Sequence, residues 1–99
     1  MSIFDNEDII TRKYLEDRGF AVFDNYAILW IKLGVGYLSR NIIYWFENKE
    51  VILSGGCDKR RTEDIFTISD LEFEILADIE YLKNKYKTNV SIFKNNEYI

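Results

Sequence analysis

The chain has 99 residues, 47% of them hydrophobic and 16% aromatic, enough to bury a core without disulfide staples and too apolar for a disordered segment. It contains no histidine, no proline and one cysteine, which excludes Ser-His-Asp and Cys-His nucleophile pairs, histidine-ligated zinc or haem, an intrachain disulfide and every multi-cysteine metal site. Net charge is −4, with 17 acids against 13 bases, so a whole-protein role in binding polyanions is disfavoured.

No run approaches the roughly 20 apolar residues of a membrane span. The start, Met1-Ser2-Ile3-Phe4-Asp5-Asn6-Glu7-Asp8, is acidic and lacks the positive flank of a signal peptide. A cytoplasmic location with a reduced Cys57 is the default expectation. Ile, Asn, Lys, Tyr and Phe are abundant and Ala is scarce, a bias of AT-rich codons that points to a low-GC bacterium or its phage or plasmid.

In chain order, Asp5 is expected to cap a first helix, with Asp8 at its third position and Phe4 and Ile9 as a hydrophobic staple. Ile10, Tyr14 and Leu15 share one face, and Gly19 followed by Phe20 reads as a left-handed C-terminal cap. Strand chemistry follows: a short strand over 20–23, a turn at Asp24-Asn25, and a strand over 27–33 ended by the turn Gly34-Val35-Gly36. A longer strand is expected over 37–46, bent near Ser39-Arg40-Asn41, and Glu47-Asn48-Lys49-Glu50 leads into a strand over 51–54. Short loops favour antiparallel neighbours. Residues 55–64 read as a polar, mobile loop. Ser69 is expected to cap a long second helix, with Glu72 as its capping-box partner and Ile68 stapled to Phe73. Leu71, Ile75, Leu76, Ile79, Leu82 and Tyr86 form its apolar face; acids crowd its first half and lysines its last, matching the macrodipole. The helix ends near Lys87, before a short strand over 90–93 and a fraying tail over 94–99. The fold class is α+β in one domain over 1–99: an N-terminal helix, a three- to four-stranded antiparallel meander, a long second helix and a short C-terminal strand.

The second helix carries an anomaly. Phe73, Ala77 and Tyr81 recur every four residues on the side away from the Leu71/Ile75 face, edged by Asp70, Glu74 and Asp78. An apolar stripe with carboxylates beside it suits docking on a basic, partly apolar protein surface. The plainer reading gives Phe73 to the staple and Tyr81 to covering a strand.

Lys59, Arg60 and Arg61 follow Gly55-Gly56-Cys57, a constellation that suits an anion and would lower a thiol pKa. No histidine is present as a base for Cys57, and Asp58 opposes thiolate formation. A solvated turn is the simpler account. Trp30, Tyr37, Tyr44, Trp45 and Phe46 put aromatics on both sheet faces. Helices covering both faces are expected; a dimer through the sheet ranks next, and base stacking after that. Gly34-Val35-Gly36 is too short for a nucleotide fingerprint. Asp5, Glu7 and Asp8 are explained by capping rather than by a metal.

The resulting expectation is a small non-enzymatic protein-binding module without cofactor or metal. It would be phage- or plasmid-encoded and inhibit or modulate a host nucleic-acid-processing protein. Its contacts would be Asp70, Phe73, Glu74, Ala77, Asp78 and Tyr81, its partner would carry a basic surface, and homodimerisation would use sheet aromatics or an open strand edge. The alternative is a nucleotide or nucleic-acid binder using Lys59, Arg60 and Arg61 with the sheet aromatics.

Overall fold

A computed structural model describes residues 8–34, 39–55, 58–87 and 89–93. The expected Asp5 cap, the Phe4 staple, the turn at 35–36, Tyr37, Cys57 and the 94–99 tail lie outside these residues.

Helix α1 spans Arg12–Arg18 and starts later than the pattern suggests. Its N-cap is Thr11, whose hydroxyl oxygen accepts from the Tyr14 N–H at 3.0 Å. Asp8 is therefore not a helical residue. Its carboxylate is taken by the N–H and hydroxyl of Ser69, at 3.3 and 3.2 Å, and Ile9 bridges Thr67. Gly19 ends the helix at φ 115°, its N–H bonded back to Glu16, a conformation glycine adopts without a Cβ clash.

The strands are β1 (Ala21–Val22), β2 (Tyr26–Leu33), β3 (Ser39–Trp45), β4 (Glu50–Gly55), β5 (Asp58–Thr62) and β6 (Val90–Phe93). Among the described residues they form one sheet of six strands rather than three or four. The order is β1-β2-β3-β4-β5, every pair is antiparallel, and β6 returns to β2. β1 and β6 share one edge of β2, the first beside Ala27 and Ile28, the second beside residues 30–33.

The polar, mobile loop expected over 55–64 is corrected: residues 58–62 are an edge strand paired to β4. Charge alone hides a strand there, because an edge strand tolerates basic side chains and is protected by them from adding a further chain. Two of the charges also meet carboxylates, Arg60 with Asp78 and Arg61 with Glu50.

Helix α2 spans Ile68–Tyr86. Its cap is displaced from the expected pair: Thr67 is the N-cap and Asp70 closes the capping box, with Lys87 left-handed at the C-cap. Two capping signatures overlap in Thr67-Ile68-Ser69-Asp70-Leu71-Glu72, and the upstream one prevails. Glu72 is thereby free to reach α1.

One face of the sheet carries Ala27, Leu29, Ile31, Leu33, Ile42, Tyr44, Val51 and Leu53, all buried. Leu15 of α1 and Leu71, Ile75 and Leu82 of α2 belong to the same core. Both helices therefore lie on this inner face, which corrects the expectation that helices cover both. Leu76 is also corrected: it is 60% exposed. The inward position one turn beyond Ile75 is taken by Asp78. No helix among the described residues is long and apolar enough to cross a membrane.

Candidate functional site

Arg40 comes inward from β3 in phase with Ile42 and Tyr44, and Asp78 comes inward from α2 in phase with Ile75 and Leu82. Both side chains have 0% exposure. The guanidinium donates from Nε to Oδ2 at 2.8 Å and from Nη2 to Oδ1 at 2.7 Å, while Nη1 donates to the Gly55 carbonyl at 2.9 Å. Arg60 from β5 adds a third bond, Nη2 to Oδ1 at 2.7 Å, with 45% of its side chain exposed. The Tyr81 ring lies against the cluster, its centroid 4.6 Å from the Arg60 guanidinium and 5.6 Å from the Lys85 ammonium.

This cluster joins helix to sheet. Breaking a buried, bidentate pair by removing one partner costs about 3–5 kcal/mol.

A second junction joins the helices. Glu72 Oε2 accepts from Arg18 Nε at 2.7 Å and from the Tyr14 hydroxyl. Burial works against the Glu72 charge, but these two donors and the Arg18 charge outweigh it and hold its pKa below the usual range. Tyr14 is raised above its ordinary value, first by burial and then by the bond to Glu72.

The six expected contact residues do not form one surface. Asp78 is buried and cannot steer a partner, which corrects that assignment. Asp70 accepts from the N–H groups of Phe66 and Thr67 at 3.1 Å each, and these bonds hold its pKa below the usual value. Tyr81 sits at the helix flank, 36% exposed, against Arg60. Phe73 is 71% exposed. The expected staple therefore does not consume Phe73, and Ala77 is exposed beside it with Glu74 half-buried. Leu76, assigned by its spacing to the core, joins this outward row. Phe66, just before the cap, and Ile9, bridged to Thr67, are 58% and 51% exposed at the same end of α2.

Lys59, Arg60 and Arg61 do not converge. Strand alternation sends Arg60 inward to Asp78 and its two neighbours to the outer face. Arg61 there binds Glu50 at 2.8 Å and Glu63 at 3.0 Å. This removes the three-base anion site of the alternative reading. The aromatics divide likewise: Tyr44 is buried inward, donating to the Ile65 carbonyl at 3.0 Å, while Tyr26 and Trp45 lie 5.0 Å apart on the outer face. Among the described residues no group of three or more Cys, Asp and Glu side chains is placed to hold a metal ion.

No protein-family model matches the chain, and neither a curated protein nor a solved structure matches it.

Proposed function

We propose that this protein is a protein-binding module that acts by contact rather than by bond chemistry, with the outward row of α2 as its docking surface. The observation that carries the reading is the exposure of Phe73 and Leu76, 71% and 60%, on adjoining turns of one helix. Large apolar side chains grouped at a surface mark interaction sites, whereas scattered single ones do not. Glu74 and Glu80 stand on the same stretch of helix, so the fitting partner is a protein surface with an apolar centre and a basic rim. A nucleic-acid-processing protein has a surface of this kind.

A photoreactive residue placed at Leu76 tests the reading, with one at Asn48 in the exposed β3–β4 turn as its comparison. The expected result is a cross-linked protein adduct from position 76 alone, diminished when Glu74 and Glu80 are both replaced by lysine. Equal adducts from both positions, or adducts indifferent to the charge reversal, would overturn it.

A further inference from the structure

The opposite side of this same molecule has the surface that the α2 row requires. On the outer face of the sheet, Ile28, Ile43 and Ile52 are successive cross-strand partners, and the row continues into Arg61. Lys59 on β5 and Lys32 on β2 are exposed residues whose register positions fall on the same face. Two acids meet this face at Arg61, Glu50, which is 7% exposed, and the exposed Glu63, and both are bound to that guanidinium, which leaves Lys59 and Lys32 as the outward charges of the face. Neither described helix lies over it. A chain of net charge −4 thus has a cationic apolar face on one side and, over residues 73–80 of α2, an acidic apolar row on the other, with Lys83 on the next turn.

We infer that the partner of the α2 row is the outer sheet face of a second copy, so that the protein associates head to tail. This rests on α2 being a docking surface. A helix laid on an open sheet face is an ordinary two-layer packing, here made between molecules. Phe73 and Leu76 meet the isoleucine band, while Glu74 and Glu80 meet the basic rim. Two outer faces pressed together would oppose like charges at their rims; the helix-on-sheet pairing matches unlike ones. Because two different patches meet, each end of a pair keeps one patch unused, and the contact builds short open chains rather than closed dimers. Rim charges are screened by salt, so the association weakens as ionic strength rises.

The test is sedimentation velocity of the full chain up to about 1 mM, the weak end of measurable affinity, at low and high salt. A row variant (Leu76→Ser with Glu80→Lys) and a sheet variant (Ile43→Lys) are run alone and mixed, each checked for folding by circular dichroism. The expected wild type grows in mass with concentration and shrinks with salt. Each variant alone is monomeric, and their equimolar mixture forms a dimer and nothing larger, because each supplies its one intact patch. Lys59→Glu, on the exposed edge, serves if Ile43→Lys fails to fold; it is expected to weaken wild-type growth severalfold. A wild type monomeric throughout, a dimer that survives in either single-patch variant, or a mixture that stays monomeric would overturn the inference. If the wild type is monomeric while position 76 still traps a different protein, the docking surface stands and only its self-recognition falls.

Discussion

Arg40 and Asp78 meet through two parallel hydrogen bonds inside the core, with neither side chain reaching water. The pair crosses from the middle of the sheet to the middle of the long helix, and its forked geometry fixes both the rotation and the position of α2. Position 76 is thereby turned outward.

Asp78→Ala is expected to lower unfolding free energy by about 3–5 kcal/mol, because it leaves the Arg40 charge buried without its carboxylate. Replacing both residues with apolar ones of similar size, Arg40→Met with Asp78→Leu, is expected to restore much of that loss. Urea midpoints of the two singles and the double make the cycle; a double variant as unstable as the sum of the singles would count against a coupled pair.

The Tyr14–Glu72–Arg18 junction sets a pH window. Glu72 has its folded pKa depressed, so its contribution is present above the unfolded carboxylate value of about 4 and is lost as pH falls through the folded one. Tyr14 has its folded pKa raised, so its contribution is complete below the unfolded value of about 10 and is lost as pH rises beyond it. Thermal melts across pH are expected to decline at both ends. Tyr14→Phe should flatten the alkaline decline and Glu72→Gln should reduce the acid one; unchanged profiles would remove the junction from the account.

Gly55→Ala should destabilise by about 1–3 kcal/mol. Gly55 sits at φ 107°, and a Cβ there would lie 2.4 Å from the Ser39 carbonyl oxygen. Its own carbonyl accepts from Arg40, so the strain would reach the buried pair. Chemical denaturation measures the cost, and a neutral outcome would mean that β3 and β4 separate easily at this end.

The helix cap separates two neighbouring hydroxyls. Thr67→Ala is expected to cost about 1 kcal/mol, as loss of an N-cap does. Ser69→Ala, which removes only an exposed bond to Asp8 at 3.2 Å, should cost a few tenths. Denaturation midpoints showing the reverse order would return the cap to Ser69.

Much of the architecture was legible in local pattern. Gly19 before an apolar Phe20 marks the end of α1, and the apolar, β-rich run over 27–33 marks β2. The long helix follows from its spacing, as does its end at Lys87. What escaped was long-range. The spacing of Leu71, Ile75, Asp78 and Leu82 is that of one inward face, but a carboxylate at such a position reads as surface until a buried cation is known. Arg40 is the missing half: it falls in phase with Ile42 and Tyr44, a period-two signal masked by its charge. The same masking turned β5 into a loop. Along the proposed docking row Phe73 and Ala77 face outward as their spacing implies, whereas Asp78 turns inward and Leu76 takes an outward place that its spacing does not show.

One edge of β2 is closed by two strands from distant parts of the chain, β1 over its first half and β6 over its second. The meander from β1 to β5 needs only neighbours in sequence, whereas β6 must cross about 60 residues to reach residues 30–33. Until it arrives, the N–H and C=O groups along that half of β2 are unprotected and adhesive, beside a run as apolar as Trp30-Ile31. Nascent or truncated chains lacking the last strand therefore expose an apolar length of β2 backbone that the finished molecule pairs with β6, and the sheet's edge on that side passes from β2 to β6.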